Sequence, residues 1–111
     1  MGFRNSARYR KEVVTIKLTI KKNIIDIANT YERNIESALE FLMNYIDIKC
    51  AKELIVTIPA IDNLIEDDQI EINDDLYKRI EKEFELEASE KRIRDNYVEK
   101  LVIVALFLPE V

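Results

Sequence analysis

The sequence predicts a mainly α protein with a short antiparallel β-ribbon. Three observations carry this. An early stretch alternates apolar and polar residues at the strand period, and most later apolar residues recur at the helical period. Gly2 is the only glycine, and Pro59 and Pro109 are the only prolines, so tight turns and long loops are scarce. The composition, 48% apolar and 35% charged over 111 residues, is globular, with room for one compact domain or two very small units sharing a core.

From Val14 the alternation is strict. Val14, Ile16, Leu18 and Ile20 point one way, and Thr15, Lys17, Thr19 and Lys21 the other. This predicts a strand with one buried face and one wet face of basic and hydroxyl residues. Ile24, Ile25, Ala28 and Tyr31 then follow helical spacing, predicting a helix over 22–33 with a break at Asn34, a residue that tolerates the left-handed conformation. Ile35, Leu39, Leu42, Tyr45 and Ile46 form the stripe of a second helix. Residues 53–58 predict another strand, stopped by Pro59, and a short apolar segment at 61–65 leads to the polar boundary Glu66, Asp67 and Asp68.

The order strand, helix, helix then recurs. Gln69 to Asn73 alternate, with Ile70 and Ile72 on one face. Asn73 or Asp74 can cap a helix to about Leu86, and Ser89 can cap another carrying Ile93, Tyr97, Val98, Leu101 and Val102. At an offset near 52, Ile20, Ile24, Ile25 and Ala28 correspond to Ile72, Leu76, Tyr77 and Ile80. With a one-residue slip, Ile35, Leu42 and Ile46 correspond to Leu86, Ile93 and Tyr97. Leu101 to Leu108 is continuously apolar and fits either the end of a helix or a buried strand. Tyr31, Phe41, Tyr45, Tyr77, Phe84 and Tyr97 sit at helical spacing and are expected in the core.

Charge divides the chain. Residues 1–22 carry +6 and the rest −11, for the net −5. A basic arm on an acidic protein suggests a polyanion partner at one end only. The expected organisation is a basic arm at 1–11, a first unit at 12–47 and an acidic second unit at 48–111. Cys50 stands alone, so no internal disulfide forms and a reducing, cytoplasmic setting is expected, with Cys50 as a small buried hydrophobe. The longest apolar run, Leu101 to Leu108, is too short to span a bilayer, and no membrane partner is expected.

Enzymatic chemistry has little to work with. Histidine is absent, no glycine-rich phosphate loop exists, and the serines and carboxylates show no catalytic arrangement. No catalytic residue and no cofactor are expected. Asp67, Asp68, Glu71, Asp74 and Asp75 offer hard oxygens, but without the glycine and the spacing of a calcium loop, so no metal is expected and a solvated helix-capping turn is the reading.

The strand-helix-helix of residues 12–47 resembles the ribbon-helix-helix family of DNA-binding proteins, typified by the Arc and MetJ repressors. That resemblance implies a sequence-specific transcription regulator whose two-stranded ribbon enters the major groove of double-stranded DNA. It places Thr15, Lys17 and Thr19 on the base-reading face. It assigns the DNA backbone to Lys21, to Arg33 and Asn34 near the start of the second helix, and to Arg4, Arg8, Arg10 and Lys11 in the arm. The family's usual glycine between the helices is missing; here the sequence is Asn34-Ile35-Glu36-Ser37. The combination is similar to tandem ribbon-helix-helix regulators of archaeal viruses, which implies a host-cytoplasmic location. Gln69, Glu71 and Asn73 lie among acidic residues, so the second unit is not expected to be a reading head.

A lone strand leaves backbone groups unpaired and two helices half covered. A homodimer through the N-terminal strand is therefore expected, with pairing to the second unit's strand inside one chain as the alternative. The competing function is a protein-binding module, with the acidic C-terminal half either gripping a partner as antitoxins do or mimicking DNA.

Overall fold

The computed structural model describes residues 13–59 and 64–108. The two alternating stretches become β1 (Thr15–Lys21) and β2 (Asp67–Asn73). They pair with each other, antiparallel, with Leu18 opposite Ile70 at the centre and Ile16 opposite Ile72. The ribbon expected between two chains is thus made within one. Alternation sorts the faces. Leu18, Ile20 and Ile72 are fully buried beneath the ribbon, while Val14, just outside the ladder, is exposed. The odd-numbered residues of both strands point the opposite way.

Among the described residues, five helices follow the strands. After β1 come α1 (Lys22–Thr30), α2 (Ile35–Tyr45) and α3 (Ile48–Val56), and after β2 come α4 (Asp74–Glu83) and α5 (Lys91–Leu106). One apolar core joins them: Ile24 and Ala28 of α1, Leu39 and Leu42 of α2, Ala51 and Ile55 of α3, Tyr77 and Ile80 of α4, and Val98, Leu101 and Val102 of α5.

The turns leaving α1 and α4 are built alike. The N–H groups of Tyr31, Glu32 and Arg33 donate to the carbonyls of Ile27, Asn29 and Ala28, and those of Phe84, Glu85 and Leu86 donate to Ile80, Lys82 and Glu81. Each is a Schellman closure, and each needs a left-handed residue. With no glycine available, Glu32 (φ 53°) and Glu85 (φ 59°) fill the position. The left-handed residue is therefore Glu32, not Asn34. Asn34 is extended, and its side chain caps α2 by accepting from the Ser37 N–H at 2.8 Å. The strain predicts a gain: Glu85→Gly should raise stability by about 0.5–1 kcal/mol, since a β-carbon at positive φ costs slightly more than glycine's extra unfolded-state freedom. Urea midpoints of the two chains check this, and a lower midpoint for Glu85→Gly would refute it.

Past these turns the two halves differ. α2 starts three residues after Glu32 but α5 six residues after Glu85. The extra residues include Ser89, which was expected to cap α5. Instead Glu90 holds the N-cap position and the Ser89 carbonyl accepts from the Arg94 guanidinium.

Residues 53–58 form no strand. Asp47 caps α3 by accepting from the Lys49 N–H at 3.0 Å; Ala51 and Ile55, one helical turn apart, are buried in the core, and Ile48 packs against it. Leu54 and Val56 are exposed. The ambiguity at Leu101 to Leu108 resolves as helix, through Leu106. Its continuous apolar character follows from its place, because α5 packs against α2, α3 and β1.

Arginines lock the helices together. Arg33 donates to the carbonyls of Leu106 and Ala105 at the end of α5 (3.0 and 3.4 Å). Arg79 of α4 donates to the Met43 carbonyl and the Asn44 side chain at the end of α2, both at 2.7 Å. A guanidinium at a helix C-terminus satisfies unpaired carbonyls and complements the dipole.

Candidate nucleic-acid interface

The ribbon's outward face consists of Thr15, Lys17, Thr19 and Lys21 from β1 and Asp67, Gln69, Glu71 and Asn73 from β2. Every one carries a hydrogen-bonding side chain. The Thr15 hydroxyl donates to Glu71 Oε1 at 3.2 Å, and Lys17 lies directly across from Glu71. Gln69 Nε2 donates to Thr19 Oγ1 at 3.4 Å. At one end Lys21 Nζ is 2.8 Å from Asp67 Oδ1. At the other, the Asn73 side chain accepts from the N–H groups of Asp75 and Leu76 and so caps α4.

The second edge of β1, the side away from β2, is closed by α5. Lys91, Asp95 and Glu99 lie at four-residue intervals on one face of that helix. Lys91 Nζ donates to the Lys17 carbonyl at 2.7 Å. Asp95 Oδ2 accepts from the Thr19 N–H at 3.2 Å, and Glu99 accepts from the Lys21 N–H. These side chains satisfy three of the groups that a third strand would otherwise pair. Asp95 is buried and also accepts from the Tyr77 hydroxyl at 2.7 Å and from Lys91 Nζ at 2.8 Å. Burial, then the bond to Asp95, holds the Tyr77 phenol well above its usual range. Burial also raises the Glu99 carboxyl, against the pull of the Lys21 N–H and ammonium.

A cleft of about 700 Å³ opens where this helix meets the ribbon, lined by Thr19, Lys21 and Gln69 on one side and Arg92, Asn96 and Lys100 on the other. On the far side of the ribbon a smaller recess of about 180 Å³ separates β2 from the start of α2, at Asn34, Ile35 and Glu36.

The predicted residues therefore meet different fates. Thr15, Lys17 and Thr19 do share one face, with Lys21 at its end. Asn34 is exposed at the start of α2. Arg33, expected at the DNA backbone, is turned to the end of α5. Arg4, Arg8, Arg10 and Lys11 lie outside the described residues. Gln69, Glu71 and Asn73, not expected to read DNA, belong to the same face. Their signal was in the alternation with Ile70 and Ile72, but their acidic neighbours obscured it. Arg92, Asn96 and Lys100 join them unforeseen, since their common helical face meets the ribbon only once α5 lies along β1.

Two further expectations fail. Cys50 is exposed, because it falls outside the face of α3 that carries Ile48, Ala51 and Ile55 to the core. Of the aromatic residues, Tyr77 and Phe84 are buried, but Tyr31 and Tyr45 are 72% and 73% exposed, each at the C-terminal end of a helix where no element covers it. Among the described residues no helix is long and apolar enough to cross a membrane.

What the fold and this face define, among the described residues, is a mainly helical protein with a two-stranded antiparallel sheet. Comparison with family models, curated proteins and solved structures finds no match to the chain.

Proposed function

We propose that this chain is a double-stranded DNA-binding transcription regulator in which two tandem ribbon-helix-helix units, joined in one chain, form a complete reading ribbon. The observation that carries the reading is the division of the ribbon: apolar residues beneath it, and only hydrogen-bonding side chains on the face above. A two-stranded ribbon of this kind fits the width of the major groove. Thr15, Lys17 and Thr19 read base edges, joined by Gln69 and Glu71. Arg92 and Lys100 beside the ribbon, with the basic residues of the N-terminal arm, hold phosphates. The lone thiol of Cys50 suits a reducing compartment, so the proposed place of action is the cytoplasm.

Fluorescence anisotropy on a mixed-sequence duplex tests this across a salt series. Affinity should fall steeply with salt, with a logarithmic slope of roughly one per phosphate contacted. Lys17→Ala should cost about 1–3 kcal/mol on a selected site and relax specificity at one base pair. Equal binding of wild type and Lys17→Ala to every sequence would sink the assignment of Lys17.

The second reading is a protein-binding module. The carboxylates of Asp67, Asp68 and Glu71, on or beside the ribbon, favour it, since phosphates repel them. Deletion of residues 1–11 separates the two. A DNA reader loses affinity and salt dependence, whereas a partner-binder keeps its activity.

A further inference from the structure

The antiparallel register places a local dyad between Leu18 and Ile70. A ribbon built from two identical strands carries the same side chain at dyad-related positions and so suits a palindrome. In this chain the dyad relates Lys17 to Gln69, Thr19 to Glu71, Thr15 to Asp67 and Lys21 to Asn73. None of the four pairs matches: the dyad relates a cation to an amide twice, and a hydroxyl to a carboxylate twice. The two ends of the face are therefore different chemical objects. One presents Lys17 across from Glu71 and the other Thr19 across from Gln69.

The flanks differ as well. Beside the Thr19–Gln69 end, α5 offers Arg92, Asn96 and Lys100. On the opposite flank α2 carries Glu36 and Glu40 and no basic residue. Arg33 also lines the recess on the α2 side, and Asp67, Asp95 and Glu99 also line the α5 cleft, so the flanks differ in chemistry, with two exposed or half-exposed cations, Arg92 and Lys100, on α5 alone.

From this, and resting on the proposed DNA reading, we infer that one chain reads a non-palindromic site, with a G·C pair at the Lys17–Glu71 end and an A·T pair at the Thr19–Gln69 end. The chemistry sets the assignment. A lysine ammonium donates to the O6 and N7 acceptors of guanine, and a carboxylate accepts from the amino group of cytosine. A glutamine amide makes two bonds to adenine, and a threonine methyl packs on that of thymine. Because the ribbon is complete within one chain, a single chain occupies a single site.

The test is selection by the full-length chain from a pool of duplexes with a randomised centre, followed by native mass spectrometry of the selected complex. The expected consensus is not self-complementary, with G·C at one end and A·T at the other, and the complex holds one chain. Glu71→Gln should move the preference from cytosine towards adenine at the G·C end alone, by about tenfold. Gln69→Ala should relax the A·T end alone. Both residues are exposed, so circular dichroism should report an unchanged fold. A self-complementary consensus, two chains on one site, or binding without sequence preference would overturn the inference and leave DNA binding standing. Failure of the wild type to bind any duplex at low salt would overturn the DNA reading itself.

Discussion

A chain carrying Thr19→Cys and Gln69→Cys, with Cys50→Ser to remove the native thiol, should close an internal disulfide on oxidation and run as a cross-linked monomer. Thr19 and Gln69 are direct partners in the ladder. The Thr19 N–H is turned away from β2 towards Asp95, which marks this as a non-hydrogen-bonded pair. In such pairs the α-carbons come within roughly 4.5 Å, inside the range a disulfide tolerates. The closed loop spans about 50 residues, so the oxidised chain should be about 4 kcal/mol more stable than its reduced form by the chain-entropy account. Non-reducing electrophoresis and urea unfolding with and without reductant read both quantities. Cross-linked dimers in place of monomers would mean that the strands pair between chains.

Asp95→Ala should be the most damaging single change at the ribbon. Asp95 receives the Tyr77 hydroxyl, the Thr19 N–H and the Lys91 ammonium. Truncation leaves the buried Tyr77 hydroxyl and the part-buried Thr19 N–H without their acceptor, and a buried group left so costs about 1–3 kcal/mol. Lys91 is partly solvated and adds less. The expected loss is about 3 kcal/mol by equilibrium urea unfolding. Tyr77→Phe, which leaves Asp95 its other two donors, should lose only about 1 kcal/mol. If Asp95→Ala unfolded at the wild-type midpoint, water would be doing what the carboxylate is said to do, and α5 would not be the cover of the β1 edge.

The size of that network also explains why the edge matters. A two-stranded ribbon alone has two open edges, and an open edge invites pairing with other chains. Here Lys91, Asp95 and Glu99 take three backbone groups on the open edge of β1: the Lys17 carbonyl and the Thr19 and Lys21 N–H groups. No strand from residues 53–58 was then needed, and the segment continues α3 to Val56, with Ile55 as its buried residue.

Much of this was legible along the chain. The alternation at residues 14–20 fixed which side chains of β1 lie beneath the ribbon and which above. The spacing of Ile24 and Ala28, and of Leu39 and Leu42, fixed the buried faces of α1 and α2. The same holds for Ile70 and Ile72 in β2. These features depend on residues within a few positions of one another, because the backbone period alone decides which side chains share a face. What the tertiary structure alone decided is non-local. It chose β2 as the partner of β1, turned Arg33 from a surface cation into a helix cap, laid α5 along the ribbon so that Arg92 and Lys100 flank it, and left Tyr31 and Tyr45 exposed. A strand's period is the same whichever strand it pairs with, and a charged side chain is the same whichever carbonyl it reaches. Those choices follow from which arrangement buries one shared core and leaves the fewest backbone groups unpaired.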